Sequence, residues 1–243
     1  MPGGITPTTV TLNVTGGEAS GVAFDGANIW VACGDFSRSL VKLRASDGAN
    51  LGFISLPVDP FSLAFDGSHI WATTGETHSV TKVRASDGTI VGSFNAGQGP
   101  LKVAFDGANI WVTNPTANTV TKVRASDGQL LATYNVAASP NSLVFDGTNF
   151  WITHPTLNIV TKLRAADGVV LGTFAAGPTP VGIVFDGANI WVGNRDANTV
   201  TKLRVIDGAT LGTFKAGASP THMAFDGANV WVINHGAATV SKL

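Results

Sequence analysis

The sequence is poor in cysteine, in charge and in long apolar runs, and each shortage excludes a class of protein. A single cysteine, Cys33, leaves no partner for an internal disulfide. Charged residues make up only 13% of the 243 residues, the formal net charge is −1, and there is no basic run. We therefore expect no nucleic-acid partner, because nucleic-acid binding needs clustered Lys and Arg. No apolar stretch approaches the roughly 20 residues of a membrane helix, so we expect no membrane partner either.

The sequence leaves the cellular compartment open. The first residues, Met-Pro-Gly-Gly, lack the basic start and the apolar stretch of a signal peptide. Scarce cysteine with abundant Thr, Asn and Gly is typical of proteins that bacteria secrete or export to the periplasm. The same composition is equally typical of an engineered protein.

What the sequence has in abundance is a repeat of about 40 residues. The tripeptide Phe-Asp-Gly begins at Phe24, Phe65, Phe105, Phe145, Phe185 and Phe225. All six tryptophans follow, each six residues after one of these phenylalanines: Trp30, Trp71, Trp111, Trp151, Trp191 and Trp231. This spacing predicts six copies of one structural unit.

Each unit reads as four short strands joined by tight turns. In the third unit the predicted strands are Leu101–Phe105, Ile110–Thr113, Thr119–Arg124 and Leu130–Tyr134. Asp-Gly-Ala-Asn and Ser-Asp-Gly supply the turn residues between them. Four strands per unit, repeated six times, predict an all-β protein: a six-bladed β-propeller with four antiparallel strands per blade. We expect one domain over residues 1–243, a monomer, with blades starting near residues 19, 60, 100, 140, 180 and 220. An open stack of hairpins is the alternative.

The two ends of the sequence predict how the ring closes. The last unit reaches Lys242 and Leu243 within its third strand, so its fourth strand is missing. Residues 9–14 form an alternating stretch at a fourth-strand position before Phe24. We expect this amino-terminal strand to complete blade six, because closure removes the exposed edges that invite aggregation.

Two sets of recurring residues have structural interpretations. The Phe and Trp positions are large and apolar in every unit, which predicts that they pack between neighbouring blades. Lys and Arg recur two positions apart in every complete third strand, and in the third unit Lys122 and Arg124 alternate with β-branched residues. This alternation predicts a solvated strand face, with the arginines near the turn acids of their own blades.

The units diverge on one face of the disc, in the loop after the second strand and in the crossover between blades. Here the repeat replaces small or neutral residues by side chains that donate hydrogen bonds or titrate near neutral pH. These positions predict a ligand site at the channel mouth, formed by Lys102, His154, Arg195, His222 and His235. The cluster predicts an anionic or polar small molecule, or a protein partner. Drift of exposed loops is the competing interpretation. The histidines and Cys33 lack the spacing of a metal site, so we expect no metal and no cofactor.

The repeated pattern P-x-x-(V/L/I)-x-F-D-G-x-N-(I/F/V)-W-(V/I)-x-N resembles the repeat of the YVTN and NHL propellers of bacteria. It is most similar to the group that contains the virginiamycin B lyase (streptogramin lyase)-like propellers. That resemblance implies a propeller fold and, for the lyases, a magnesium-dependent opening of a cyclic peptide lactone by histidines and glutamates. His222 lies at a position that matches an active-site histidine of that group. Pro220 and Asn234 stand where the group has glutamates.

These observations favour a non-enzymatic binding scaffold whose ligand or protein partner sits at the channel mouth. Two alternatives stay open at this point. One is a streptogramin-lyase-like enzyme with its active site around His222. The other is an engineered or purely structural scaffold without a ligand.

Overall fold

The computed structural model describes residues 18–34 and 37–243, which form six antiparallel sheets arranged as the blades of a propeller. Blades one and two contain β1 (Ala19–Phe24), β2 (Asn28–Cys33), β3 (Ser39–Arg44), β4 (Asn50–Ser55), β5 (Leu63–Phe65), β6 (His69–Thr74), β7 (Ser79–Arg84) and β8 (Ile90–Asn95). Blades three and four contain β9 (Val103–Phe105), β10 (Asn109–Asn114), β11 (Thr119–Arg124), β12 (Leu130–Asn135), β13 (Leu143–Phe145), β14 (Asn149–His154), β15 (Ile159–Arg164) and β16 (Val170–Ala175). Blades five and six contain β17 (Pro180–Phe185), β18 (Asn189–Asn194), β19 (Thr199–Arg204), β20 (Thr210–Lys215), β21 (Pro220–Phe225), β22 (Val230–Asn234) and β23 (Thr239–Lys242). The six-bladed, four-stranded prediction is confirmed, with three strands in the described part of blade six.

The remaining regular structure is three short 3-10 helices in the loops after second strands. They span Gly75–Thr77, Arg195–Ala197 and His235–Ala237. No helix within residues 18–34 and 37–243 is long and apolar enough to cross a membrane. In blade three the predicted strand bounds hold to within two residues, the largest difference being an innermost strand that begins at Val103 instead of Leu101.

The aspartate of each Phe-Asp-Gly motif fixes both the turn that follows it and the tryptophan. In blade three, Asp106 Oδ1 accepts the backbone N–H groups of Ala108 and Asn109, and Oδ2 accepts Trp111 Nε1–H at 2.7 Å. The other five blades repeat the Asp–Trp bond at 2.6–2.8 Å. Burial alone would raise the pKa of Asp106, but these hydrogen bonds outweigh burial and hold its pKa below the usual value. The motif is therefore a structural clamp that orients the indole.

Tryptophans fill the interfaces between blades, as the repeat predicts. Trp30, Trp71, Trp111 and Trp151 are completely buried, and each packs against apolar residues of the following blade. Trp191 does the same at the boundary of blades five and six with only 8% exposure. Five consecutive interfaces thus share one packing scheme.

The lysines of the five complete third strands are buried or half-buried instead of solvated, so that part of the sequence prediction is wrong. Lys82 and Lys162 are buried, with 4% and 8% exposure. Lys82 Nζ donates to the backbone carbonyl of Ala125 in the next blade at 2.6 Å and lies 5.1 Å from the centre of the Trp71 ring. Lys42, Lys122 and Lys162 make the same bond to the next blade. A propeller strand is covered by a neighbouring blade on each face, so alternation with lysine does not indicate a solvated side here.

The arginines of the same strands follow the prediction. Arg44, Arg84, Arg124, Arg164 and Arg204 pair with the turn aspartate three residues later, at 2.8–3.4 Å and with both side chains about half exposed. Exposed pairs of this kind contribute less than about 1 kcal/mol each.

The boundary between blades six and one differs from the other five. Trp231 is 38% exposed, and Ile233 and Val240 beside it are exposed as well. A cleft of about 590 Å³ separates Trp231 and Ile233 from Ala19, Ser20 and Val22 of blade one. The segment 9–14, which the sequence predicts to close this boundary, lies outside the described residues.

Candidate functional site

One position in every blade faces the central channel, within or directly before the innermost strand and three residues before the phenylalanine of the repeat. The six residues at this position line a cavity of about 210 Å³. They are Gly21, Ser62, Lys102, Ser142, Gly182 and His222. We call this set the channel ring. Only two of its members, Lys102 and His222, carry a large polar side chain.

Lys102 and His222 stand on opposite sides of the channel ring. Lys102 belongs to blade three and His222 to blade six, so three blade steps separate them in either direction. Ser62 and Ser142 flank Lys102, which puts two hydroxyl groups on the lysine side. Gly21 and Gly182 flank His222 and leave its side of the channel open.

The glycines beside His222 are required by packing. A Cβ atom at Gly21 would lie 2.6 Å from the carbonyl oxygen of Phe61, and one at Gly182 would lie 2.6 Å from that of Thr221. Contacts this short do not occur for real side chains, so no larger residue fits without a backbone shift. The lack of side chains there therefore follows from close approach of the next blade.

A threonine two residues after tryptophan sets the path of the chain on the lysine side. Thr113 Oγ1 accepts the Lys102 N–H at 3.1 Å and donates to the Asn141 carbonyl of the next blade at 2.7 Å. Thr73 and Thr153 bind the N–H groups of Ser62 and Ser142 in the same way. Blades one, five and six have Ala32, Gly193 and Ile233 at this position, and their innermost strands are six residues long instead of three.

Lys102 and His222 have different electrostatic surroundings. Lys102 Nζ lies 4.9 Å from the centre of the Phe61 ring, and burial lowers the pKa of the ammonium group. Within residues 18–34 and 37–243, no carboxylate forms an ion pair with Lys102. His222 is exposed to the channel, and its pKa is lowered by its partial desolvation there and further by the charges of Lys102 and His235. The lowered pKa favours the neutral form of the imidazole.

Above the channel ring, the mouth contains three carboxylates. Lys102, His222 and Phe61 line a cavity of about 560 Å³ together with Glu18, Asp59 and Glu76. The five residues that the sequence predicts for the site include no acid, whereas the structure places Lys102 and His222 in the channel and acids at its rim. The site is therefore of mixed charge.

The other predicted site residues lie elsewhere. His154 is completely buried, its Nδ1 lies 3.0 Å from the carbonyl oxygen of Ala138, and burial lowers its pKa. Arg195 is exposed, pairs with Asp196 at 3.0 Å and lines neither cavity. His235 is exposed and begins the last 3-10 helix, outside both cavities but near enough to affect His222. The structure thus brings together Lys102 and His222 but not the full set of five.

His154 belongs to a buried structural position, three residues after each tryptophan. Its equivalents Cys33, Thr74, Asn114, Asn194 and Asn234 are all buried. Asn114 Nδ2 donates to Thr121 Oγ1 at 2.7 Å, and Asn194 Nδ2 donates to Thr201 Oγ1 at 2.9 Å. Variation at this position therefore changes how each loop is held.

In the part of the chain that the structure describes, the side chains that could bind a metal ion are not grouped into a site. Residues 18–34 and 37–243 contain no group of three or more His, Cys, Asp or Glu side chains that could hold one. The magnesium that the lyase resemblance implies therefore has no ligand set among these residues.

Comparison with known proteins identifies the fold and no family. No family model matches the chain, and no curated protein matches its sequence. Among solved structures, one titled "Streptogramin B lyase structure" is similar with a TM-score of 0.73 and 16% identity, over 96% of this chain and 94% of the other. A functionally unknown protein from Desulfotomaculum acetoxidans DSM 771 has a TM-score of 0.73 and 17% identity, over 85% of this chain and 75% of the other. Hydrazine synthase of Kuenenia stuttgartiensis has a TM-score of 0.61 and 15% identity, over 99% of both chains.

Identities this low show a shared architecture alone. The resemblance to streptogramin-lyase propellers seen in the repeat is confirmed at the level of the fold, while the YVTN/NHL family name stays a prediction. The chain is a six-bladed β-propeller with the fold that these proteins share.

Proposed function

We propose that the protein is a binding protein without catalytic activity of its own. It holds a small polar molecule at the channel mouth by binding an anionic group of that molecule. The observation that carries this proposal is Lys102, a largely buried cation with no ion-pair partner among the described residues. Burying such a charge without a counter-charge is costly, and an anionic ligand would remove that cost.

The neighbours of Lys102 suit an anion as well. The hydroxyl groups of Ser62 and Ser142 flank it on the channel ring and can donate hydrogen bonds. The pKa of His222 on the opposite side is lowered, which favours the neutral form, and the imidazole would become a second charged donor on taking up a proton. One fixed cation and one titratable group thus face the same small cavity.

The acidic rim indicates what the other end of the ligand carries. Glu18, Asp59 and Glu76 border the mouth outside the cations. A molecule with its anionic group in the channel would present its far end to these carboxylates, which favour a cationic or hydrogen-bond-donating group. A small zwitterion therefore fits better than a simple anion.

Taurine and methanesulfonate are suitable probes, because their sulfonates keep one charge between about pH 5 and pH 8 and only taurine has an ammonium group. We expect taurine to bind more tightly than methanesulfonate in isothermal titration calorimetry. The Lys102→Met variant should lose about 10–100-fold in affinity for both, the usual effect of a hydrogen bond to a charged group. Affinity should rise as the pH falls through the pKa of His222, because binding an anion favours its protonated form, and His222→Asn should abolish this rise.

The matched control is Lys215→Met, which removes a cation from the exposed end of β20, away from the channel. It should leave both affinities unchanged. Equal losses from Lys102→Met and Lys215→Met, or no binding of either probe by the wild-type protein, would contradict the proposed site.

A lyase-like activity around His222 is the second candidate. It is favoured by the His222 imidazole, which has a lowered pKa and faces a cavity, and by the fold shared with the protein titled a streptogramin B lyase. We expect no activity, because Pro220 and Asn234 stand where the lyase pattern has glutamates. The measurement is incubation with a streptogramin B antibiotic and magnesium, followed by mass spectrometry. Linearised product that disappears in a His222→Ala variant would replace the binding proposal by an enzymatic one.

A further inference from the structure

The channel cavity is smaller than most sites for small molecules. Its volume is about 210 Å³. Such sites usually have about 300–1,000 Å³ and are lined mainly by apolar side chains. The channel ring adds little apolar area, because four of its six members are glycine or serine. A ligand held at Lys102 therefore needs space and apolar contacts beyond the ring.

A second cavity adjoins the channel from the side, between blades six and one. It is the cleft of about 590 Å³ described above, which we call the side cleft. Gly21 and His222, two members of the channel ring, line both the channel cavity and the side cleft. Their neighbours Val22 and Met223 also line both. The side cleft is therefore continuous with the proposed anion site.

The walls of the side cleft expose three apolar side chains at positions that blade two buries: Val22, Trp231 and Ile233. These are 62%, 38% and 50% exposed, whereas their equivalents in blade two, Leu63, Trp71 and Thr73, are at most 8% exposed. Among the described residues, no lysine, arginine, aspartate or glutamate lines the side cleft. Such a surface favours the apolar part of a molecule over a charged part.

Ile233 replaces a residue that joins other blades to their neighbours. Thr73 Oγ1 donates to the Leu101 carbonyl of the next blade at 3.0 Å, and Thr113 Oγ1 donates to the Asn141 carbonyl at 2.7 Å. Ile233 stands at the same position of blade six and has no hydroxyl group to donate. The boundary thus has an apolar wall where two other boundaries have a hydrogen bond.

The side cleft lies in the half of the blade nearest the channel. Its described lining residues belong to β1, β21 and β22, the innermost and second strands, and none belongs to β23. The fourth strand that the sequence predicts for residues 9–14 would stand beyond β23, at the outer edge of the blade. That predicted strand and an occupant of the side cleft therefore need different surfaces.

We propose that the side cleft binds an apolar chain of the same molecule whose anionic group is held at Lys102, so that the ligand is an amphiphilic anion. This inference rests on the proposed function, because it needs the anion site at Lys102. His222 stands where the parts of the ligand meet, since it lines the channel cavity, the mouth and the side cleft. An ammonium group would point to the acidic mouth, and the chain would lie against Trp231 and Ile233.

Alkyl sulfonates of different length test the inference in the full chain by isothermal titration calorimetry. Hexanesulfonate should bind more tightly than methanesulfonate, by about 2–4-fold for each added methylene group, the range for half to complete burial. Lys102→Met should weaken the binding of both probes by a similar factor, because both use the same anion site.

The fluorescence of Trp231 gives a second measurement, because the other five tryptophans are at most 8% exposed. Hexanesulfonate should shift the emission of the wild-type protein to shorter wavelength, since the chain replaces water beside the indole. Methanesulfonate should not, and the Trp231→Phe variant should lose the shift.

A matched pair of variants locates the chain. Ile233→Asn puts a polar amide into the side cleft and should reduce the preference for hexanesulfonate over methanesulfonate by about 10-fold, with little effect on methanesulfonate itself. The control is Ile206→Asn, since Ile206 is 80% exposed and does not line the side cleft or the channel cavity. It should leave both affinities unchanged.

The outcomes separate this inference from the proposed function. Equal affinities for the two sulfonates, both weakened by Lys102→Met, would leave the anion site standing and overturn the apolar chain, as expected if another segment or a second copy fills the side cleft. Hexanesulfonate binding that is insensitive to Lys102→Met, or equally sensitive to Ile233→Asn and Ile206→Asn, would place the chain elsewhere and overturn it too. If neither sulfonate binds, the proposed function and this inference both fail.

Discussion

Replacing Trp111 by alanine should lower the free energy of unfolding by about 3–5 kcal/mol, the range for deleting a buried aromatic side chain. Trp111 is completely buried between blades three and four, 4.7 Å from the ring centre of Phe150 and 5.6 Å from that of Tyr134. Its removal leaves a cavity that two rigid sheets cannot close. Asp106 Oδ2 also loses its indole donor. Chemical denaturation monitored by far-UV circular dichroism measures the change.

The control for this prediction is Ile206→Ala, since Ile206 is 80% exposed and lies in the third-strand turn of blade five. It removes apolar atoms without making a cavity, so the free energy of unfolding should change by less than about 0.5 kcal/mol. A Trp111→Ala variant as stable as this control would show that the inter-blade interfaces do not hold the ring together.

The fold could be predicted because the residues that recur are the ones that build it. The aspartate of the Phe-Asp-Gly motif and the tryptophan, Asp106 and Trp111 in blade three, are five positions apart in every unit. This spacing recurs because one carboxylate must bind both the turn and the indole. What the repeat did not show was the environment of the third strand. Lys82 alternates with β-branched residues as on a solvated face, yet it is buried, because the next blade covers that side of the sheet.

The site could be predicted only in part, because divergence between units has two physical sources. Lys102 and His222 differ from their counterparts at a position that faces the channel. His154 differs at a position that faces the interior, where each loop is held by its own hydrogen bonds. Sequence comparison between units cannot separate these cases. Thr113 carries a different signal, since threonine two residues after tryptophan marks the blades with short innermost strands.

Replacing Lys82 by methionine should lower the free energy of unfolding by about 2–4 kcal/mol, the second largest effect we expect. Methionine keeps the length and volume of the side chain, so packing is retained. The change leaves the buried carbonyl of Ala125 without its donor at 2.6 Å, which costs about 1–3 kcal/mol. It also removes the cation that lies 5.1 Å from the centre of the Trp71 ring, a contact worth about 0.5–2 kcal/mol.

The same position in blade five provides a control that separates the two contributions. Lys202 Nζ lies 4.4 Å from the centre of the Trp191 ring, and no described residue accepts a hydrogen bond from it across a blade boundary, in contrast to Lys42, Lys82, Lys122 and Lys162. Lys202→Met should therefore cost only the cation–π contact, about 0.5–2 kcal/mol. The difference between the two variants in urea denaturation measures the inter-blade hydrogen bond. If Lys82→Met and Lys202→Met destabilise the protein equally, the bond to the next blade contributes nothing, and the lysines stabilise the propeller through the tryptophans alone.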